Sequence, residues 1–84
     1  MKAIIIIKGN EDHKVIRNIK SHIEMQLNRK WIDKITYHFV DDSLGTEVIS
    51  VRTDKQNFED LRNKLDIFYP NQCAFITYKK RAPK

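Results

Sequence analysis

The chain has 84 residues, with 16 Lys and Arg against 11 Asp and Glu, a formal net charge of +5. That length carries one small domain, whose single core must use most of the apolar residues. A composition 40% hydrophobic and 32% charged excludes a disordered chain, and no apolar run approaches the roughly 18 residues of a membrane span.

Reading from the start, Lys2 to Lys8 (KAIIIIK) is apolar on both faces and β-branched, as a central strand covered on both sides would be. Met1-Lys2 leads into it with no signal-peptide pattern, and the one cysteine, Cys73, excludes an internal disulfide framework. A reducing cytoplasm is the expected compartment. Gly9 stops the strand. Asn10 is the expected N-cap, followed by Glu11 and Asp12 in a first helical turn that favours acids. Ile16, Ile19, Ile23 and Leu27 then recur at helical spacing, and Asn28-Arg29-Lys30 closes the helix with cations.

From Trp31 to Val40 the period changes to two. Ile35, Tyr37 and Phe39 alternate with Lys34, Thr36 and His38, which describes a strand with one apolar and one polar face. Asp41 to Gly45 is turn chemistry, and Ile49 and Val51 against Val48, Ser50 and Arg52 make the second arm of a hairpin. Thr53 with Gln56 reads as a capping box. Phe58, Leu61, Leu65 and Phe68 give a second helical stripe, broken at Pro70-Asn71. Cys73 to Tyr78 is the last strand. Ile6, Ile19, Phe39, Leu61 and Phe75 are the expected core, with Phe39 central enough that its truncation should cost about 3–5 kcal/mol.

The order β-α-β-β-α-β resembles the ferredoxin-like sandwich, an α+β fold with a four-stranded antiparallel sheet and both helices on one face. The resemblance spans residues 1–78 as a single domain, leaving 79–84 as a basic C-terminal tail. It implies strand order 4-1-3-2. The fold itself hosts many unrelated activities, so function must come from a site.

Charge is segregated along the chain. Residues 1–30 carry net +4, residues 31–78 net −3, and the tail from Lys79 net +4. Adjacent first and last strands would bring both basic segments to one side, which points to phosphate contacts by Lys14, Arg17, Lys20, Arg29, Lys30, Lys79, Lys80 and Arg81. On the hairpin's polar face Lys34, His38 and Arg52 could reach phosphate or sugar. Cys73 to Tyr78 (CAFITY) resembles the second half of the RNA-recognition-motif octamer: Ala74, Phe75, Ile76 and Tyr78 fit its pattern, while Asn71, Gln72 and Cys73 replace its cation, glycine and first aromatic. The resemblance implies a base-stacking role for aromatics of this strand, Tyr78 among them.

Catalytic chemistry is sparse. Cys73 has no neighbouring base in the sequence, and His13, His22 and His38 lack metal-ligand spacing. Asp41, Asp42 and Glu47 flank one turn and could attract a divalent ion, although acidic hairpin tips are common. Two glycines, Gly9 and Gly45, exclude a glycine-rich phosphate cradle. The arginine loop of ferredoxin-like acylphosphatases is absent after the first strand. So is the aspartate with which CRISPR-associated nucleases end theirs. No catalytic residue, metal or cofactor is therefore expected. Size, charge and an isoleucine- and lysine-rich, glycine-poor composition resemble the small T-even phage RNA-binding inhibitors of the ToxN endoribonuclease toxin. That resemblance implies RNA-dependent neutralisation of a host ribonuclease. The expected partners are RNA, a ribonuclease toxin or other host protein, and a second copy of the chain paired through the Trp31–Val40 edge strand. Two competing readings stand beside this one: a protein-interaction module binding through that edge, and a metal-independent ribonuclease using His38 or His13 as base.

Overall fold

The protein is described by a computed structural model over residues 1–78; the basic tail, with Lys79, Lys80 and Arg81, lies outside the described residues. Six elements follow in order: β1 (Lys2–Ile7), α1 (His13–Asn28), β2 (Ile32–His38), β3 (Glu47–Thr53), α2 (Lys55–Phe68) and β4 (Cys73–Thr77). The strands form one sheet in the order β2-β3-β1-β4, every neighbour antiparallel. This is the expected ferredoxin-like α+β arrangement. None of the described helices is long and apolar enough to cross a membrane.

Side chains alternate across a pleated strand, so pairing and parity together sort every residue onto one of two faces. Ala3, Ile5 and Ile7 of β1 join Ile49 and Val51 of β3, Ile16, Ile19 and Ile23 of α1, and Phe58, Leu61 and Leu65 of α2 in one buried core. Both helices therefore cover the same face. The opposite face has no helix over it.

Several expectations fail locally. Ile4 and Ile6 are only half-buried, because the face they occupy is uncovered; Ile6 is not core. Phe39 is 91% exposed, since β2 ends at His38, paired with Val48, and Phe39 belongs to the connection that runs on to Thr46. In α1, Gln26 is buried and Leu27 exposed. At 100° per residue the two positions lie about equally far to either side of the centre of the Ile16-Ile19-Ile23 stripe, so helical spacing alone does not choose between them. The buried amide of Gln26 is satisfied by donating to the His22 carbonyl at 3.1 Å. Phe68, the last helical residue of α2, is 62% exposed and stacks on His22, while Tyr69 packs against the core.

The caps also shift by one or two residues. Asp12, not Asn10, caps α1 by accepting from the Lys14 amide at 3.1 Å, and Asn10 accepts from the Asp12 amide just ahead of it. Asp54, not Thr53, caps α2 by accepting from the Asn57 amide at 2.8 Å. Thr53 is buried and its hydroxyl donates to the Trp31 carbonyl, so it is unavailable for capping.

One irregularity matters for the uncovered face. The β2–β3 register shifts between Ile32, paired with Thr53, and Lys34, paired with Arg52. In a regular strand Ile32 and Lys34 would share a face. The extra residue, Asp33, lets Ile32 stay 2% exposed in the core while Lys34 stands on the other side.

The burial pattern separates two truncations. Leu65→Ala removes a fully buried side chain and is expected to cost about 2–5 kcal/mol, whereas Phe39→Ala is expected to stay within about 0.5 kcal/mol of wild type. Urea unfolding followed by circular dichroism measures both.

Candidate nucleic-acid interface

The uncovered face can be read row by row from the register. Lys34 opposes Arg52 and Arg52 opposes Lys2, so three cations stand side by side on β2, β3 and β1. Adjacent strands lie about 4.8 Å apart, which places the row within about 10 Å. Tyr78 continues it on the far side of β1, its amide donating to the Lys2 carbonyl at 3.2 Å. The next row is Thr36, Ser50, Ile4 and Ile76; the third is His38, Val48, Ile6 and Ala74. The β2–β3 half is basic and polar apart from Val48, and the β1–β4 half is apolar apart from Lys2 and the Tyr78 hydroxyl. None of these three rows contains an acidic residue; Asp33, the extra residue of β2, follows the inward-facing Ile32 and so falls on this face beside Lys34.

Like charges directly opposite one another destabilise a sheet. Among the described residues neither Lys2, Lys34 nor Arg52 has an ion-pair partner; the ion pairs there are Lys20–Glu47 at 3.2 Å and Arg62–Asp66 at 4.0 Å. The row thus gathers positive charge with no ion pair among the described residues to offset it. Lys2, Lys34, Thr36, His38, Ser50 and Arg52 line a groove of about 150 Å³. Inside it His38 Nε2 and Ser50 Oγ are 2.6 Å apart, and Ser50 is buried at 8% exposure although no helix covers it.

The remaining sequence-derived cations lie elsewhere. Lys14, Arg17 and Lys20 are on α1, in the helix layer. Arg17 and Lys20 border a wider cleft with His13, Ile16, Gly45 and Glu47, but there Lys20 is paired with Glu47 and sits 5.3 Å from the Tyr37 ring centroid. That pairing offsets the charge an anion would need. Arg29 and Lys30 end α1: the Trp31 amide donates to Gln26 and the Lys30 amide to Leu27, a Schellman closure. Lys30 holds the left-handed φ of 63° there, where glycine is usual. Arg29 and Lys64 sit 5.3 and 5.8 Å from the Trp31 ring centroid. Of the expected binding residues, then, the structure brings Lys34, His38, Arg52 and Tyr78 onto one face. Lys14, Arg17 and Lys20 are left in the other layer.

The sequence reading passed over Lys2, Thr36 and Ser50 as binding residues. Lys2 joins the row only through its pairing with Arg52, and nothing in the local pattern of β1 announces that register. The octamer-like segment behaves differently from its pattern. Phe75 pairs with Ile5, faces the helices and meets Phe58 edge-on at 6.0 Å, with Arg62 5.6 Å from its ring centroid. It offers no stacking surface on the open face; Tyr78, 54% exposed, does.

The three histidines occupy separate places: His38 on the open face, His22 against Phe68 and Tyr69, and His13 near Gly45. Among the described residues no group of three or more His, Cys, Asp or Glu side chains could hold a metal ion. Asp42 is spent on its own loop, accepting from the Thr46 hydroxyl and the Leu44 amide, which together hold its carboxyl below the usual range. Compared with protein-family models, curated proteins and solved structures, the chain matches none.

Cys73 packs against the core under α2. Burial, with Asp66 nearby, pushes its thiol up to about 11. The thiolate is the reactive form, so alkylation by iodoacetamide at pH 8 is expected to be markedly slower than for the unfolded chain in urea, rising only as pH approaches 11. Because the folded value lies above the unfolded one, the associated stability is present below about pH 8.5 and declines as pH rises toward 11.

Proposed function

We propose that this protein binds single-stranded RNA on the open face of its sheet and acts as a small non-enzymatic regulator. The observation that carries the reading is the Lys2–Arg52–Lys34 row, three facing cations with no ion-pair partner among the described residues. Such an arrangement is electrostatically unfavourable by itself and becomes favourable with phosphate across it. The apolar half, Ile4, Ile6, Ala74 and Ile76 with Tyr78 at the corner, suits unstacked bases rather than the closed edge of a duplex. A protein of this kind regulates by occupying an RNA or by bridging it to a second protein. Neutralising a ribonuclease toxin, as the resemblance to the phage inhibitors implies, is one such role.

Fluorescence anisotropy with a labelled oligouridylate tests the site. Binding is expected to weaken with salt at a log–log slope of about 0.7 per phosphate neutralised on a single strand. The pair Lys34→Gln with Arg52→Gln should lower that slope by about 1.4 and weaken every sequence alike. Should Lys14→Gln with Arg17→Gln produce that loss while the sheet-face pair does not, the site belongs to the helix layer.

The reading includes pairing of two copies along β2. That strand is a sheet edge, and exposed Trp31, Tyr37 and Phe39 run along or beside it. Free edges template strand addition, and a two-fold pair would extend the open face and its cation row. Light scattering in high salt after nuclease treatment is expected to give twice the 10.0 kDa of one chain. A mass of one chain refutes the pairing.

A further inference from the structure

Resting on the RNA-binding reading, we infer that the Ser50–His38 pair is a ribose reader, selecting RNA over DNA through the 2′-hydroxyl. Ser50 lies at the centre of the second row, directly opposite Thr36 on one side and Ile4 on the other. Along β3 it is two residues from Arg52, about 7 Å away at strand rise. A phosphate on the cation row therefore leaves its own sugar over Ser50, within reach of one nucleotide.

The hydrogen-bonding inventory of the pair fits a hydroxyl. If the Ser50 hydroxyl donates to Nε2, its oxygen keeps acceptor capacity and Nδ1–H of His38 is a free donor. If Nε2–H donates to Ser50, the serine hydroxyl is the free donor and Nδ1 the acceptor. Either tautomer leaves one donor and one acceptor in the groove. The 2′-hydroxyl both donates and accepts, and it is the group that distinguishes RNA from DNA at a given site. A bare cation row is blind to that difference, since phosphates are common to both.

Burial gives the arrangement its selectivity. Ser50 is 8% exposed, and its hydroxyl is held by the 2.6 Å contact with His38. Thr36, across from it on β2, supplies a second hydroxyl on the same row. Such fixed groups lose little freedom when a sugar arrives. A deoxyribose there leaves them facing hydrogen that cannot pair, which a single neutral hydrogen bond converts to a preference of up to about tenfold.

The test uses the full chain and three labelled probes of one sequence: oligouridylate, its 2′-deoxy form and its 2′-O-methyl form. Wild type is expected to bind the ribose form up to about tenfold more tightly than either of the others. Ser50→Ala should bring the ribose-to-deoxy affinity ratio close to one. His38→Leu should do the same without altering the buried serine, which guards against a folding defect in the first variant. Equal wild-type affinity for ribose and deoxy probes, with the salt slope intact, overturns the ribose reader and leaves phosphate binding standing. A ratio that survives both substitutions overturns it as well. Absence of binding to all three probes overturns the RNA-binding reading itself.

Discussion

The structure depends on one strand being paired on both edges while covered on only one face. β1 lies between β3 and β4, so its parity fixes theirs. Ala3, Ile5 and Ile7 enter the core, and with them Ile49, Val51 and Phe75 must turn toward the helices. The same constraint sends Lys2, Ile4 and Ile6 outward and aligns them with Arg52, Ser50 and Val48. The core and the candidate interface are two sides of one register. Anything that slipped β1 by a single residue would exchange them.

That geometry also explains why a basic chain is not uniformly basic. On the helix layer two cations have ion-pair partners, Lys20 with Glu47 and Arg62 with Asp66, while Lys14, Arg17, Arg29, Lys55 and Lys64 have none among the described residues. Tyr37 belongs to the same layer, its hydroxyl donating to Glu24 at 2.7 Å. Burial together with that carboxylate pushes it up to about 12. On the open face no ion pair answers Lys2, Lys34 and Arg52 among the described residues. Net charge alone points to a class of partner; what sets the open face apart is that Lys34, Arg52 and Lys2 stand directly opposite one another.

Much of the architecture was legible in the sequence because it rests on periodicity. Five of the six elements follow from alternating and helical spacing; β1 and its central place follow instead from an uninterrupted apolar run, which implied cover on both faces where the structure gives it on one. Alternation also gives the outward face of Lys34, Thr36 and His38. What was not legible depends on where elements stop and how they slide. Phe39 continues the alternation of β2 perfectly, yet the strand has already ended. Asp33 looks like an ordinary strand residue, yet it is the extra one that allows Ile32 in and Lys34 out. Phe75 matches an RNA-binding pattern letter for letter, but its parity is set by Ile5 across the ladder. The cation row required two inter-strand registers, which no single segment encodes.

Four consecutive isoleucines raise a question of degeneracy. Ile4 to Ile7 would fill the same core positions nearly as well if β1 moved along its neighbours, so their side chains cannot by themselves choose one alignment. The choice falls to the end of the strand. Gly9 donates to the Thr46 hydroxyl oxygen at 3.0 Å and Asn10 to the Leu44 carbonyl at 3.0 Å. A side chain at Gly9 would meet Leu44 Cβ at 2.5 Å. Across the other edge, Lys8 donates to the Gln72 carbonyl and accepts from its amide. These contacts join positions far apart in sequence and close only in one alignment. They work as a detent, stopping an otherwise smooth ratchet at the notch where Lys2 meets Arg52.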